Sequence, residues 1–210
     1  SDEVNTARGK IVDNFNFMPD APALESSSGV LMNNYRKLAL GGVQQFGTYR
    51  PRVMRTVYNP IWAPDIFGLR ETFKKMAEFR NCLYDLPPDF AITKVQDGLW
   101  TASRIHHYPS GGGFLIQHRD TVVPKVHEGE GLPGYYQLVL VLSKKGLDFE
   151  FGGGYVSRGT ERYFYEEDAD YGDLIIYDGR TTHGVEEVDP QKPFLQSNPA
   201  GRMAGFCDFI

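Results

Sequence analysis

A mainly β fold, a barrel or jelly roll with helices on its outside, is the architecture this sequence predicts, and three observations point to it. Beyond Pro88 the chain breaks into eight short runs of β-type residues, most of them separated by glycine, proline or acidic residues. A content of 23 glycines and 13 prolines supplies many turns. Only one stretch ahead of those runs carries a strong helical period. A length of 210 residues fits one domain, here divided into an N-terminal arm with supporting helices over 1–98 and a β core over 99–210.

In chain order, residues 1–29 hold Met18-Pro19-Asp20-Ala21-Pro22 and Ser26-Ser27-Ser28-Gly29, which resist regular structure and predict a loose arm. Its Phe15, Phe17 and Leu24 can dock on the body, or on a second subunit in a homodimer. From Asn33 to Phe46, the apolar residues Tyr35, Leu38, Ala39, Val43 and Phe46 predict a short helix, weakened by Gly41-Gly42. Between Asp65 and Tyr84, Ile66, Leu69, Phe73, Met76, Ala77 and Leu83 recur every three or four residues after Pro64, which predicts the strongest helix of the chain. The expected strands are Trp100–Tyr108, Phe114–Asp120, Tyr135–Leu142, Leu147–Phe151, Arg162–Tyr165, Leu174–Tyr177, Val185–Val188 and Met203–Ile210.

Charge and cysteine content narrow the function. A net charge of −5 gives no field for a phosphate backbone, so nucleic acid is not an expected partner. No apolar run reaches the ~18 residues of a membrane span and no signal peptide opens the chain, so a cytoplasmic protein with no membrane partner is expected. Cys82 and Cys207 match no zinc spacing and suit reduced thiols, with a disulfide left open. Arg50, Arg52 and Arg55 form a cation cluster that reads either as a solvated edge or as a clamp for an anionic group.

The chemistry concentrates in Gln117-His118-Arg119-Asp120 and in Asp178 to Val185. On an extended strand His118 and Asp120 point the same way, while Arg119 faces away. With 5 histidines and 15 aspartates in the chain, a His-x-Asp triplet arises by chance roughly one time in three, so the context has to decide. A distant strand bringing His183 to the same point would complete two nitrogens and a carboxylate on one face of a metal, the ligand set of non-haem iron(II). The plain alternatives are a surface strand pair and a strand-ending histidine. Tyr108, ten positions before His118 across Pro109-Ser110-Gly111-Gly112-Gly113, comes beside such a pocket if the two strands form a hairpin. The adjacent His106 and His107 face opposite sides, one in the core and one at the surface. His127 falls in a glycine-rich loop and reads as solvated.

Tyr108-Pro109 through His118-Arg119-Asp120, then Phe149-Glu150-Phe151-Gly152-Gly153-Gly154, then Gly172 to Tyr177 and His183-Gly184-Val185 resemble the iron(II)/2-oxoglutarate-dependent oxygenases, most closely the prolyl-hydroxylase-like branch. The resemblance covers about residues 100–210. It implies a double-stranded β-helix core of the jelly-roll or cupin-like kind, with His118, Asp120 and His183 as catalytic iron ligands. It also implies an arginine near the last strand that grips the far carboxylate of 2-oxoglutarate. Arg202 is that candidate, with Arg180 and Arg158 as substitutes. Arg202 lies 19 positions beyond His183, more than the family usually shows, and Ala204 stands where many members carry a hydroxyl; Tyr108 and Gln137 are the candidates for further cofactor contacts.

The function so implied is a dioxygenase using Fe(II), 2-oxoglutarate and O2 to hydroxylate an unactivated C–H bond of a small molecule, with decarboxylation of 2-oxoglutarate to succinate. Retention of Asp120 favours hydroxylation over halogenation. Trp62, Trp100 and the arginine cluster are candidate walls for the substrate. A peptide side-chain hydroxylase, a cupin-like metalloenzyme that does not use 2-oxoglutarate, and a non-catalytic β-sandwich that binds a ligand are the alternatives.

Overall fold

The computed structural model describes residues 2–15, 35–45, 48–132, 134–195 and 198–210. Its N-terminal half contains α1 (Asp2–Phe15), β1 (Tyr35–Gln45), β2 (Thr48–Tyr58) and α2 (Arg70–Leu83). The C-terminal half contains β3 (Thr101–Pro109), β4 (Gly113–His118), α3 (Val122–Gly129), β5 (Tyr136–Val141), β6 (Gly153–Arg158), β7 (Glu161–Phe164), a 3-10 turn (Tyr165–Glu167), β8 (Leu174–Asp178), β9 (Thr182–Val188) and β10 (Gly201–Phe209). The strands make one mixed sheet in the order β7-β6-β9-β4-β2-β3-β10-β5-β8, with β1 attached to β2. In that order β8 and β9 are separated by five strands, yet the rings of Tyr177 on β8 and His183 on β9 lie 5.4 Å apart. The sheet therefore curls until distant strands face each other across a cavity, as strand twist allows. A mainly β, jelly-roll-like class is the outcome.

Strand alternation separates the two faces. On β3, Ile105 enters the core while Arg104, His106 and Tyr108 line the cavity; on β10, Met203 and Cys207 enter the core while Arg202 and Phe206 line the cavity. The core side is roofed by two helices. Val4, Ala7, Ile11 and Phe15 of α1 and Phe73, Met76 and Ala77 of α2 recur at helical spacing and pack on Val57, Ile105, Leu138, Leu140, Met203 and Cys207. Each large apolar side chain buried there contributes about 1.5–3 kcal/mol.

Several expectations need correction. The arm is helical over Asp2–Phe15, because its apolar residues form a stripe that docks on the sheet; Phe17, Leu24 and the serine run lie outside the described residues. The helix expected over Asn33–Phe46 is strand β1, paired with β2 from Tyr35↔Tyr58 to Gln45↔Thr48. Two adjacent glycines cost a helix about 2 kcal/mol relative to alanine, and pairing with β2 decides the matter. The strong helix starts at Arg70 rather than Asp65, because the Asp65 carboxylate accepts the N–H groups of Gly68 (2.9 Å), Leu69 (3.2 Å) and Arg70 (3.3 Å) and turns the chain into it. Leu147–Phe151 is not a strand, whereas β6 and α3 arise where no element was expected.

β3 and β4 do not form the expected hairpin. β2 lies between them, antiparallel to β3 and parallel to β4. Among the described residues Cys82 and Cys207 form no disulfide, Cys207 being buried and Cys82 exposed. No helix among them is long and apolar enough to cross a membrane.

Candidate metal centre

His118 ends β4 and His183 is the second residue of β9, and the two are direct partners across the antiparallel ladder. Partners of that kind have Cβ atoms about 4.5–5.5 Å apart, and the two imidazole centroids lie 4.5 Å apart. The ladder is irregular on the way there, pairing Gly113 with Val188, Leu115 with Val185 and His118 with His183 through two register shifts. Such bulges re-aim side chains at a strand end. Asp120 is not on the strand, as expected, but in the turn into α3, which Arg119 ties to β9 by donating to Thr182 Oγ1 at 2.9 Å. From there the Asp120 carboxylate reaches both rings, with Oδ1 3.5 Å from His118 Nε2 and Oδ2 3.8 Å from His183 Nε2. One ligand atom from each residue lies within 4.8 Å of the others, as a shared metal ion requires.

The backbone sets the tautomers. His118 Nδ1 lies 2.8 Å from the carbonyl of Ile116 and His183 Nδ1 2.9 Å from that of Thr181, in both cases two residues back. A carbonyl oxygen only accepts, so each neutral ring carries its hydrogen on Nδ1 and turns the Nε2 lone pair toward Asp120. When His118 is protonated its Nε2–H donates to Asp120, which raises its pKa above the ordinary histidine value, whereas burial lowers that of His183. Burial pushes Asp120 upward, but the hydrogen bond with His118 and the two nearby imidazoles outweigh it and hold the carboxylate below its usual range.

Asp120 is oriented in turn by Tyr135, whose hydroxyl donates to Oδ2 at 3.2 Å and also contacts the Gln137 amide. The Tyr135 ring lies over Gly179, where a Cβ would overlap it. Glycine is therefore required in the turn between β8 and β9, and sequence gave no sign that residues 44 positions apart depend on each other.

A cavity of about 80 Å³ opens beside the three residues. Tyr108, Gln137 and Arg202 line it, so all six expected site residues converge there. Arg202 is buried, with its guanidinium carbon 5.1 Å from the centre of the Tyr108 ring. Its Nε donates to Glu166 Oε1 (2.7 Å) and Oε2 (3.0 Å), and Nη2 donates to the Tyr165 hydroxyl (3.1 Å). Its Nη1 is buried with no hydrogen-bond partner among the described residues. Burial lowers the Arg202 pKa, but the Glu166 charge more than offsets this and keeps the group cationic. Burial pushes the Tyr108 phenol up to about 12, so it stays a neutral hydroxyl.

Other expectations fail here. Arg180 pairs with Asp178 on the surface and Arg158 is exposed, so neither replaces Arg202. Arg55 turns to the other face of the sheet and donates to His107 Nδ1 at 3.0 Å, so it does not clamp a ligand over the cavity; the Arg50 and Arg52 side chains lie outside the described part of the chain. Of the histidine pair, His107 is core as expected, but His106 lines the cavity instead of the surface. His127 is buried on α3, donating to the Gly134 carbonyl at 2.8 Å. Trp62 and Trp100 pack on each other, with centroids 5.5 Å apart, and neither lines the cavity. Sequence reasoning missed Arg104, Tyr135, Tyr165, Glu166 and Tyr177. Glu166, in the run Tyr165-Glu166-Glu167-Asp168, reads as solvated until the fold is known.

Comparison with protein-family models and with curated proteins returned no match to this chain.

Proposed function

We propose that the protein is an Fe(II)/2-oxoglutarate-dependent dioxygenase that hydroxylates an unactivated C–H bond of a small molecule, and that its curled sheet is a double-stranded β-helix. The observation that carries this reading is the pairing of two features on one small cavity. One is a His-Asp-His group whose imidazoles both present Nε2. The other is a buried arginine with an unpartnered Nη1. A three-residue facial set suits iron(II) and leaves half its coordination sphere for other ligands. A buried guanidinium nitrogen lacking a partner suits a carboxylate oxygen.

In this reading His118 Nε2, His183 Nε2 and one Asp120 oxygen hold the metal. Tyr135 fixes the carboxylate so that metal affinity does not depend on a loose side chain. Arg202, whose guanidinium lies over the Tyr108 ring, is the group that would receive the distal carboxylate of 2-oxoglutarate. Leu115, Val185 and Phe206 line the cavity and limit water around the reacting groups. When bound, iron, O2 and 2-oxoglutarate together supply the oxidising power, with succinate and carbon dioxide as by-products.

One observation favours a second reading, a cupin-like metalloenzyme that does not use 2-oxoglutarate: Glu166 already satisfies much of Arg202. The deciding experiment adds iron(II) and 2-oxoglutarate under anaerobic conditions and follows the visible charge-transfer absorption of the chelate, then admits air and measures succinate. Absorption followed by succinate supports the dioxygenase. Iron binding with neither signal moves the assignment to the second reading, and absence of iron binding removes both.

A further inference from the structure

The Arg202–Glu166 ion pair has a seat built for it. Both side chains are almost fully buried. Glu166 comes from the 3-10 turn after β7 and meets β6 at two glycines. The Gly154 N–H donates to Glu166 Oε2 at 2.6 Å. A Cβ at Gly153, which has φ +115°, would stand 2.8 Å from the same oxygen, and one at Gly154 would overlap the Tyr165 hydroxyl and stand 2.8 Å from Arg202 Nη2. A side chain at Gly154 would therefore displace the Tyr165 hydroxyl from the arginine, and one at Gly153 would make the Glu166 carboxylate shift. A buried carboxylate held by a backbone amide and a guanidinium is not a solvated surface group.

Resting on the oxygenase reading, we propose that Glu166 is a specificity-determining residue that weakens the preference of the Arg202 site for a dicarboxylate. Both Glu166 oxygens engage Nε, and the buried Nη1 is left without a hydrogen-bond partner among the described residues, so a carboxylate that reached it would complete the guanidinium. Any carboxylate bound there lies within a guanidinium's width of a second carboxylate, in a buried setting where like charges interact strongly. Arg202 then offers an incoming anion a hydrogen bond but little net charge. The substrate class follows: the site takes 2-oxo acids with a neutral tail nearly as well as 2-oxoglutarate, because the distal carboxylate gains little.

Oxygen-free calorimetry on the iron(II)-loaded protein tests this, comparing 2-oxoglutarate with 2-oxopentanoate, which has the same chain length and no distal carboxylate. The wild-type protein is expected to prefer 2-oxoglutarate by less than about tenfold, and Glu166→Gln to widen that preference by about tenfold. A glutamine oxygen at the Oε2 position still accepts from the Gly154 N–H and from Arg202 Nε, while the change removes the charge together with the acceptor at the Oε1 position. A second readout needs no ligand: thermal unfolding of the metal-free protein should show Arg202→Met less stable than Arg202→Met/Glu166→Gln, since the single change leaves a buried charge alone. A wild-type preference of a hundredfold or more, an unchanged preference in Glu166→Gln, or the opposite order of unfolding temperatures overturns the inference while leaving the oxygenase reading standing. Failure of both 2-oxo acids to bind overturns the two together.

Discussion

If the protein holds the proposed iron, affinity for it is decided at the scale of single atoms, by whether Asp120 and two Nε2 atoms are held in place before an ion arrives. Tyr135→Phe removes the hydrogen bond to Asp120 Oδ2 and leaves the ring on Gly179. Iron(II) affinity should fall about 10–100-fold with little change in the urea midpoint. Anaerobic metal titration beside a denaturation curve measures both, and an unaltered affinity would show that Asp120 needs no support. The pH dependence has a definite sign. His118 holds its proton to higher pH than an ordinary histidine, while His183 gives its proton up early. Iron affinity should therefore climb as pH rises through the elevated His118 value and level off above it, with about one proton released per metal in that window. Release of two protons there would mean that His183 is also charged in the metal-free protein.

At the scale of elements, α2 is held by its buried stripe more than by its start. Phe73 is fully buried against the sheet, and Phe73→Ala should cost about 3–5 kcal/mol in urea unfolding. Asp65→Ala removes a carboxylate that accepts three N–H groups ahead of the helix and should cost about 1 kcal/mol. The reverse order would mean that the turn, not the packing, anchors α2. The β4–β9 pairing plays the corresponding role for the site, since a slip of one residue would turn His183 to the other face of the sheet.

For the whole molecule, β2 occupies the position between β4 and β3, so the sheet that carries the site includes residues 48–58. The sequence expectation of a core confined to 99–210 leaves this strand out. A chain cut to 99–210 should lose its cooperative unfolding transition and near-ultraviolet circular dichroism, because β3 and β4 would each lose a neighbour and the core its α1 and α2 roof. A sharp transition in that fragment would show that the two halves fold separately.

Local chemistry made much of this molecule legible. Because each signal lies within a few neighbouring positions, the α2 stripe and most strands after Pro88 follow from periodicity and turn residues, and a motif resemblance singled out His118, Asp120, His183, Tyr108, Gln137 and Arg202, which the fold brings to one cavity. The strand at Tyr35–Gln45 did not, because pairing with a partner outweighs weak local propensity. Neither did the dependence of Tyr135 on Gly179, the seat of Glu166 on Gly153 and Gly154, or the burial of His127. Those features arise from contacts between residues far apart in the chain. Only the curl of the sheet decides which of them share a cavity, because side-chain direction is set locally but proximity is set by the path of the whole backbone.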